Sequence, residues 1–335
     1  MKLVRTLSLL AASLLVACGA STSSGSHAGG GSGGNAGASG AQADGSATGH
    51  LRHVIVITME NHDESSIIGS ADAPYINGTL LRDYASASSF VDVLPIGILS
   101  EPHYVLMEAG TATFSDHTFD SDAGPSATNS TSSTQHLSTQ LDAAGVDWVA
   151  FQEGIDATSG ACPVQSSGFY QPKHDPFVFF QDVSGRPPSK DNARCAAHHA
   201  DFVAFSDALD GKRPMPPYAF VTPNLCHDMH GATGCPSSNL VRSGDDWLAE
   251  VMPRVISYVD ANDGVALVVW DEGESAPTIP FLAVGPHVKK GGVSSIRVTH
   301  ASLVKSVEEI FGLPVLSAVQ GENDLGDFFE PGWFP

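Results

Sequence analysis

The apolar run His53-Val54-Ile55-Val56-Ile57-Thr58 leads directly into Met59-Glu60-Asn61-His62, and this segment is the clearest indication of the fold. The first six residues are mostly β-branched aliphatics, a pattern typical of a strand buried on both faces of a parallel sheet. In open α/β sheets, ligands bind beyond the carboxyl ends of such strands. The carboxylate, amide and imidazole that follow the apolar run therefore lie where a functional site is expected, although a plain polar turn is the commoner outcome for a single cluster.

A second strand of the same kind ends in acidic residues. Residues 265–270 form a continuous apolar run, and Asp271 and Glu272 follow it directly. Adjacent carboxylates repel each other, and burial at a strand end adds to the cost of their charge. A bound cation would remove that cost, whereas a solvated surface pair would need none. Together with Glu60 and Asn61, this second strand end predicts a site for one divalent metal ion with oxygen ligands.

Strands and helices alternate along the rest of the chain. Further strands are predicted at 146–152, 219–222 and 279–284, and helices at 74–84, 137–144, 245–259 and 300–311. Pro253 lies inside one of these helices and is a candidate kink. The βαβα order with continuous apolar strands predicts an α/β fold, with a mostly parallel central sheet and helices on both faces.

The amino terminus predicts export. Lys2 and Arg5 precede an apolar run that is too short to span a bilayer, so residues 1–17 read as a signal peptide. Cys18 follows at once, as in the lipobox of bacterial lipoproteins, and lipidation is preferred over an ordinary signal with a chance cysteine. We therefore expect a cell-envelope lipoprotein, at the outer membrane or cell surface, that meets the membrane only through a lipid anchor at Cys18.

The tether and the folded domain follow from composition. Residues 18–50 are rich in Gly, Ser and Ala, which predicts a flexible tether, and 51–335 form the folded domain.

The net charge of −21 repels nucleic acid and anionic membrane surfaces, so no nucleic-acid partner is expected. A phosphorylated substrate would need local positive charge from a metal ion or from protonated histidines.

Four further cysteines suit an exported protein, in which an even number suggests two disulfides. Four cysteines allow three pairings, and we expect the local one, which joins Cys162 to Cys195 and Cys226 to Cys235. A zinc site is the alternative, but no Cys-x-x-Cys spacing supports it.

Ser100 is the candidate nucleophile. It stands in Ser100-Glu101-Pro102-His103-Tyr104, a pattern that predicts the start of a helix. Backbone N–H groups and the helix dipole favour an anion at that position. Such a serine is usually only a cap, but beside a metal ion it can be an activated nucleophile.

Histidines are abundant, with fourteen in the chain. His174, His227 and His230 lie in predicted loops, and His300 begins the last predicted helix. Each alone is more often structural than catalytic. Several of them beside carboxylates on one edge predict a set of acid–base and phosphate-binding groups.

Seven motifs in a fixed order resemble those of the bacterial phosphoesterase family. They are Met-Glu-Asn-His, Ser-x-Pro-x-Tyr, Lys-His-Asp-Pro-Phe, Thr-Pro-Asn with Asp-Met-His, Gly-Asp-x-Trp-Leu, Trp-Asp-Glu-Gly and Thr-His-x-Ser-Leu, and they span residues 53–313. That family contains metal-dependent acid phosphatases and phosphatidylcholine-type phospholipases C, and its fold is similar to that of alkaline phosphatase.

The resemblance implies a role for each matching residue. The implied metal ligands are Glu60, Asn61, Asp271 and Glu272. Ser100 would attack phosphorus and form a phosphoserine intermediate. His174 and His230 would contact phosphate or protonate the leaving oxygen, and His300 is a weaker candidate for the same role.

Two departures from the family pattern lie beside Ser100. His103 stands where members usually have Asn, and Gly97-Ile98-Leu99 stand where they often have Thr-His-Pro. We hypothesise that His103 replaces the lost imidazole, and we count it among the catalytic candidates. The changes also leave open a non-catalytic surface lipoprotein that binds a phosphorylated or glycan ligand.

The sequence thus predicts an exported metal-dependent acid phosphatase that acts on small phosphate esters, with a phospholipase C-like phosphodiesterase as the alternative. The acidic surface and the absence of additional C-terminal domains favour the monoesterase. Because a protonated histidine would assist the leaving group, better activity is expected at mildly acidic pH.

Overall fold

The computed structural model describes residues 50–156 and 160–335, and its strands are joined in a single sheet. In chain order the strands are β1 (His53–Met59), β2 (Ala85–Ala87), β3 (Trp148–Gln152), β4 (His199–Asp201), β5 (Tyr218–Thr222), β6 (Gly264–Trp270), β7 (Phe281–Val284) and β8 (Val293–Ser294). Their order across the sheet is β4-β3-β5-β1-β6-β7-β2-β8.

The sheet is mostly parallel, as predicted. β1 lies between β5 and β6 and is parallel to both, whereas β7 runs antiparallel to β6 and β2. In the β1–β6 register Met59 lies opposite Trp270, so Glu60 and Asp271 leave the sheet side by side. The register alone therefore brings the two predicted acidic strand ends together.

Helices cover the sheet. They are α1 (Glu64–Ile67), α2 (Leu81–Asp83), α3 (Ser100–Ala109), α4 (Leu137–Ala144), α5 (Gln181–Ser184), α6 (Ala193–His198), α7 (Phe202–Leu209), α8 (Leu240–Ala261) and α9 (His300–Ile310). α3 contacts α4 and α9, while α8 contacts α7 and β6. Val54, Ile55, Val56 and Ile57 are all fully buried. Because successive strand residues point to opposite faces, both faces of the sheet are covered.

Local elements match the predictions with some differences. The predicted helix at 74–84 contains a π-helical turn at Ile76–Leu80, and α8 is longer than predicted and continues through Pro253. Both predicted disulfides are confirmed, with Cα–Cα distances of 5.1 Å for Cys162–Cys195 and 5.3 Å for Cys226–Cys235.

The signal peptide, the Cys18 anchor and the tether up to residue 49 lie outside the described residues and stay predictions. Within residues 50–156 and 160–335, no helix combines the length and the apolar character that crossing a bilayer requires.

Candidate active site

Glu60 lies at the centre of the candidate site. It follows β1 and is fully buried, and its backbone N–H donates to the Asp228 carbonyl at 2.8 Å. Glu60 Oε2 accepts a hydrogen bond from Ser100 Oγ at 3.2 Å, and Oε1 accepts one from the Tyr104 hydroxyl at 2.5 Å. His174 Nε2 lies 3.4 Å from Glu60 Oε1. One carboxylate thus connects the first strand, the start of α3 and His174, which ends the short 3₁₀ helix Pro172–His174.

The end of β6 supplies the opposite wall. Asp271 Oδ1 accepts hydrogen bonds from the backbone N–H groups of Asn61 at 2.9 Å and Glu272 at 2.7 Å. Glu272 Oε1 lies 3.3 Å from Ser100 Oγ. The four predicted metal ligands therefore lie together, next to the predicted nucleophile.

Strained backbone marks both loops of the site. Asn61 has φ 51° and Met229, between Asp228 and His230, has φ 82°. Non-glycine residues in this region are uncommon and concentrate at functional sites. Gly244 of α8 leaves the room that Met229 needs, because a Cβ there would lie 2.4 Å from Met229 Cγ. This contact accounts for the glycine of the Gly-Asp-x-Trp-Leu motif.

Ser100 is the first residue of α3 and forms part of a pocket of about 290 Å³. Its hydroxyl has one proton and two carboxylate neighbours, Glu60 and Glu272. The pocket is also lined by Asn61 and His230. A volume slightly below the usual ~300–1,000 Å³ of small-molecule sites suits a small ester.

His174 and His230 both lie at the candidate site. The His174 ring is buried and stacks on Tyr104, with ring centroids 5.0 Å apart. Burial, reinforced by Lys173 and His230, lowers the pKa of His174 well below its usual value. His230 is half-buried, and its Nδ1 donates to the Gly231 carbonyl at 2.8 Å, which leaves Nε2 for proton exchange or metal binding.

His103 lies behind the start of α3 rather than in the pocket wall. It is fully buried, and its ring nitrogens lie 2.9 Å from the Leu99 carbonyl and 3.1 Å from Asp92 Oδ2. Both neighbours accept, so both nitrogens donate and the ring is protonated. Burial opposes that charge, but Asp92 outweighs it and raises the pKa of His103 to about 9. This placement argues against the hypothesis that His103 contacts phosphate, and gives it a supporting role.

His300 and His227 also lie away from the pocket wall. His300 Nε2 donates to the Trp270 carbonyl at 2.9 Å, and burial lowers the pKa of His300 to about 4. His227 Nδ1 pairs with Glu153 at 2.9 Å.

The electrostatics of the site fit a bound cation. Burial, with repulsion from Asp271 and Asp228, raises the pKa of Glu60 well above its usual value. Burial and Asp271 raise the pKa of Glu272 to about 8. At these strand ends and the adjoining loops, buried ligand-type atoms lack a hydrogen-bond partner among the described residues; they include Asn61 Oδ1, Asp228 Oδ2, Asp271 Oδ2 and His174 Nε2. A divalent ion would satisfy such atoms and relieve the repulsion.

The ligand-type atoms of Glu60, His174 and His230 lie within 4.8 Å of one another and form a candidate metal-binding group. This group shares only Glu60 with the predicted ligand set. From the sequence, its two histidines are predicted to contact phosphate or the leaving oxygen and not the metal ion.

Sequence reasoning missed three contributors to the site. Tyr104 lies one helical turn after Ser100, a spacing that places both on one face of α3. Asp228 lies two residues before His230 in the Asp-Met-His motif, in which only the histidine is assigned a role from the sequence. Lys173, which precedes His174, also lines the pocket.

Solved structures show the class of fold. The chain is similar to a protein of the alkaline phosphatase superfamily from Vibrio parahaemolyticus, with a TM-score of 0.53 at 12% identity over 82% of this chain and 70% of that one. It is also similar to a phosphonate monoester hydrolase from Silicibacter pomeroyi, with a TM-score of 0.50 at 15% identity over 85% and 77% of the two chains. The fold is therefore α/β and alkaline-phosphatase-like.

Sequence comparison shows the family. Residues 79–314 match the Phosphoesterase family, to which this chain belongs. It is 24% identical to a probable acid phosphatase of Kluyveromyces lactis over 82% of this chain and 61% of that protein. It is 27% identical to a phosphate-repressible acid phosphatase of Penicillium chrysogenum over 52% of this chain and 42% of that protein. The chain thus spans less than two thirds of these relatives.

Proposed function

We propose that the chain is an exported, metal-dependent acid phosphatase that hydrolyses small phosphate monoesters through Ser100. The observation that carries the proposal is the Ser100 hydroxyl, which lies at the pocket wall, 3.2 Å from Glu60 Oε2 and 3.3 Å from Glu272 Oε1. Membership of the Phosphoesterase family and the acid phosphatase relatives support the reaction class. The two disulfides support export, because disulfides persist in oxidising compartments.

Ser100 has the surroundings of a nucleophile. As Ser100 Oγ forms a bond to phosphorus, the bond from phosphorus to the alcohol oxygen breaks, and the hydroxyl proton passes to Glu60 or Glu272. The start of α3 favours the negative charge of the phosphoryl group, because the first N–H groups of a helix lack intrahelical partners. Water then attacks the phosphoserine, which releases inorganic phosphate and restores the hydroxyl.

The carboxylates and the amide next to Ser100 would hold the metal ion. Glu60, Asn61 and Asp271 are the preferred ligands, and His174 or Asp228 could complete the set. A divalent cation held there would supply Lewis-acid chemistry, lowering the pKa of the serine hydroxyl and withdrawing charge from a phosphoryl oxygen.

His230 is the preferred proton donor for the leaving alcohol. It lines the pocket and keeps Nε2 for exchange, whereas His174 is buried and its pKa is lowered, which disfavours its protonated form. Proton transfer of this kind typically contributes about 10²–10⁴-fold to a rate.

The test compares p-nitrophenyl phosphate with p-nitrophenyl phosphorylcholine as substrates of the wild-type protein and of Ser100→Ala. We expect the wild type to hydrolyse the monoester, and Ser100→Ala to lose at least about 10³-fold in kcat while retaining its metal, measured by mass spectrometry of the eluted ions. Ser66→Ala is the matched control, because Ser66 is exposed and its hydroxyl donates to the Asp63 carbonyl. Retained turnover in Ser100→Ala would place the nucleophile elsewhere, and a metal-loaded wild type inactive on both esters would indicate a binding protein.

A further inference from the structure

The pocket beside Ser100 contains a cation that the mechanism above does not use. Lys173 lines this pocket, and among the described lining residues it is the one Lys or Arg. The other charged lining residues include Glu272, Glu274 and Asp122. An anionic substrate entering a chain of net charge −21 therefore meets a single lysine ammonium among several carboxylates.

The Lys173 ammonium is held in place but not saturated. Its side chain is only 14% exposed, and its Nζ donates to Asp122 Oδ2 at 2.5 Å. An ammonium has three protons, and the described residues offer Lys173 no hydrogen-bond acceptor besides Asp122. Two N–H donors remain for a ligand. Asp122 Oδ1 is likewise buried without a hydrogen-bond partner in the described part of the chain.

Asp122 is itself fixed to the residue that follows the nucleophile. Its two neighbours, Ser121 and Ala123, donate to Glu101 Oε2 at 2.5 Å and 2.8 Å. On its other side Lys173 precedes the buried His174, which lies against Glu60. Both members of the Lys173–Asp122 pair are therefore anchored to segments that also hold the candidate nucleophile and metal ligands.

We infer that Lys173, oriented by Asp122, binds one phosphoryl oxygen of the substrate and so makes this site selective for phosphate monoesters. In a monoester this oxygen carries no substituent, whereas in a diester it carries the second ester group. The inference rests on the proposed function and names a substrate-binding residue for it. A monoester is a dianion near neutral pH and a diester a monoanion, so surrounding carboxylates repel the monoester more strongly. A fixed ammonium compensates for that difference, and hydrogen bonds between ionised groups are the stronger kind.

The experiment measures kcat/KM for p-nitrophenyl phosphate and for methyl p-nitrophenyl phosphate in the wild type, Lys173→Met, Lys173→Arg and Asp122→Asn. We expect Lys173→Met to lower kcat/KM for the monoester about 10- to 100-fold and to leave the diester value within about threefold. Lys173→Arg keeps most of the monoester preference, and Asp122→Asn loses part of it. Lys212→Met is the control, because Lys212 pairs with Asp207 and Asp210 on the surface.

Calorimetric binding of inorganic phosphate, with metal content measured in parallel, separates this inference from the proposed function. Weaker phosphate binding in Lys173→Met at unchanged metal content supports the inference even if neither ester is turned over. The absence of turnover would count only against the proposed function. Equal loss on both esters, or phosphate affinity equal to that of the wild type, would overturn it. If Lys173→Met fails to fold, Asp122→Asn decides: an unchanged ester preference and phosphate affinity overturn the inference.

Discussion

His174 and Asp175 are neighbours in sequence, yet they belong to two buried groups with opposite properties. Asp175 forms a fully bonded cluster, which we call the paired cluster, with His199 and Tyr170. His199 Nε2 lies 3.0 Å from Asp175 Oδ2, and its Nδ1 donates to the Cys195 carbonyl at 2.7 Å. The Tyr170 hydroxyl lies 3.2 Å from Asp175 Oδ2 and 2.7 Å from the Pro163 carbonyl.

The group around His174 is built from the same residue types but is incompletely bonded. His174 Nε2 lies 3.4 Å from Glu60 Oε1 without the geometry of a hydrogen bond, and its Nδ1 lies 3.7 Å from Asp228 Oδ2. Buried polar groups in folded proteins are normally bonded, so unbonded ligand-type atoms require an explanation. The proposed function supplies one, because a cation and a phosphoryl group would complete the bonding of these atoms. Incomplete bonding, rather than burial or composition, distinguishes the candidate site from the paired cluster.

The contrast between the two clusters can be tested with matched acid-to-amide changes, and the largest effect on activity is expected at Glu60. We expect Glu60→Gln to lower kcat/KM by at least about 10²–10³-fold and to reduce metal content, because it removes a charged ligand next to Ser100. The free energy of unfolding of the metal-free protein stays equal or rises, since one of several mutually repelling buried carboxylates is gone. Steady-state kinetics, metal analysis and denaturant unfolding in chelator measure the three effects. The control is Glu250→Gln on the exposed face of α8. A Glu60→Gln protein that is less stable yet active would make this cluster structural.

The same exchange in the paired cluster should have the opposite consequence. We expect Asp175→Asn to lower the free energy of unfolding by about 3 kcal/mol, because it removes the charged partner of a buried, hydrogen-bonded pair. Activity per folded molecule changes far less than in Glu60→Gln. Urea unfolding followed by tryptophan fluorescence, with kcat measured on the folded fraction, checks both statements. Stability equal to that of the wild type would show that the pair contributes nothing.

The sheet could be predicted from sequence to the extent that its strands are long. β1 and β6 have seven residues each and contain continuous apolar runs in which Val or Ile recur, and the pattern alone identifies them. β2, β4 and β8 have two or three residues each, which is too few for any periodicity, and they are strands because longer neighbours pair with them. The polar ends of β1 and β6 also follow from sequence, because parallel strands in register end at one edge.

The remaining parts of the site depend on long-range contacts that no local pattern contains. Asp122 lies in an aperiodic Ser, Thr and Asp segment, and its position beside Lys173 depends on contacts with Glu101. His103 looked like a replacement for a phosphate-binding imidazole, but Asp92 and the Leu99 carbonyl engage both of its nitrogens. Sequence spacing identifies chemically capable residues, whereas only the fold shows which of their atoms are already bonded.

The smallest expected effect is a pH dependence of stability that belongs to the paired cluster. Burial disfavours the His199 imidazolium, but Asp175 outweighs burial and raises the pKa of His199 above its usual value. A raised histidine pKa contributes stability that is fully present below the unfolded-state pKa of about 6.5 and is lost as pH rises through the folded-state pKa. The difference in unfolding free energy between wild type and Asp175→Asn should therefore be largest near pH 6 and shrink toward pH 9, by about 1.4 kcal/mol for each unit of the shift.

Denaturant unfolding of both proteins across this range measures this difference, and a chelator is added so that the metal site does not contribute. A difference that stays constant would mean that His199 is neutral in the folded protein and that Asp175 acts only as a hydrogen-bond acceptor.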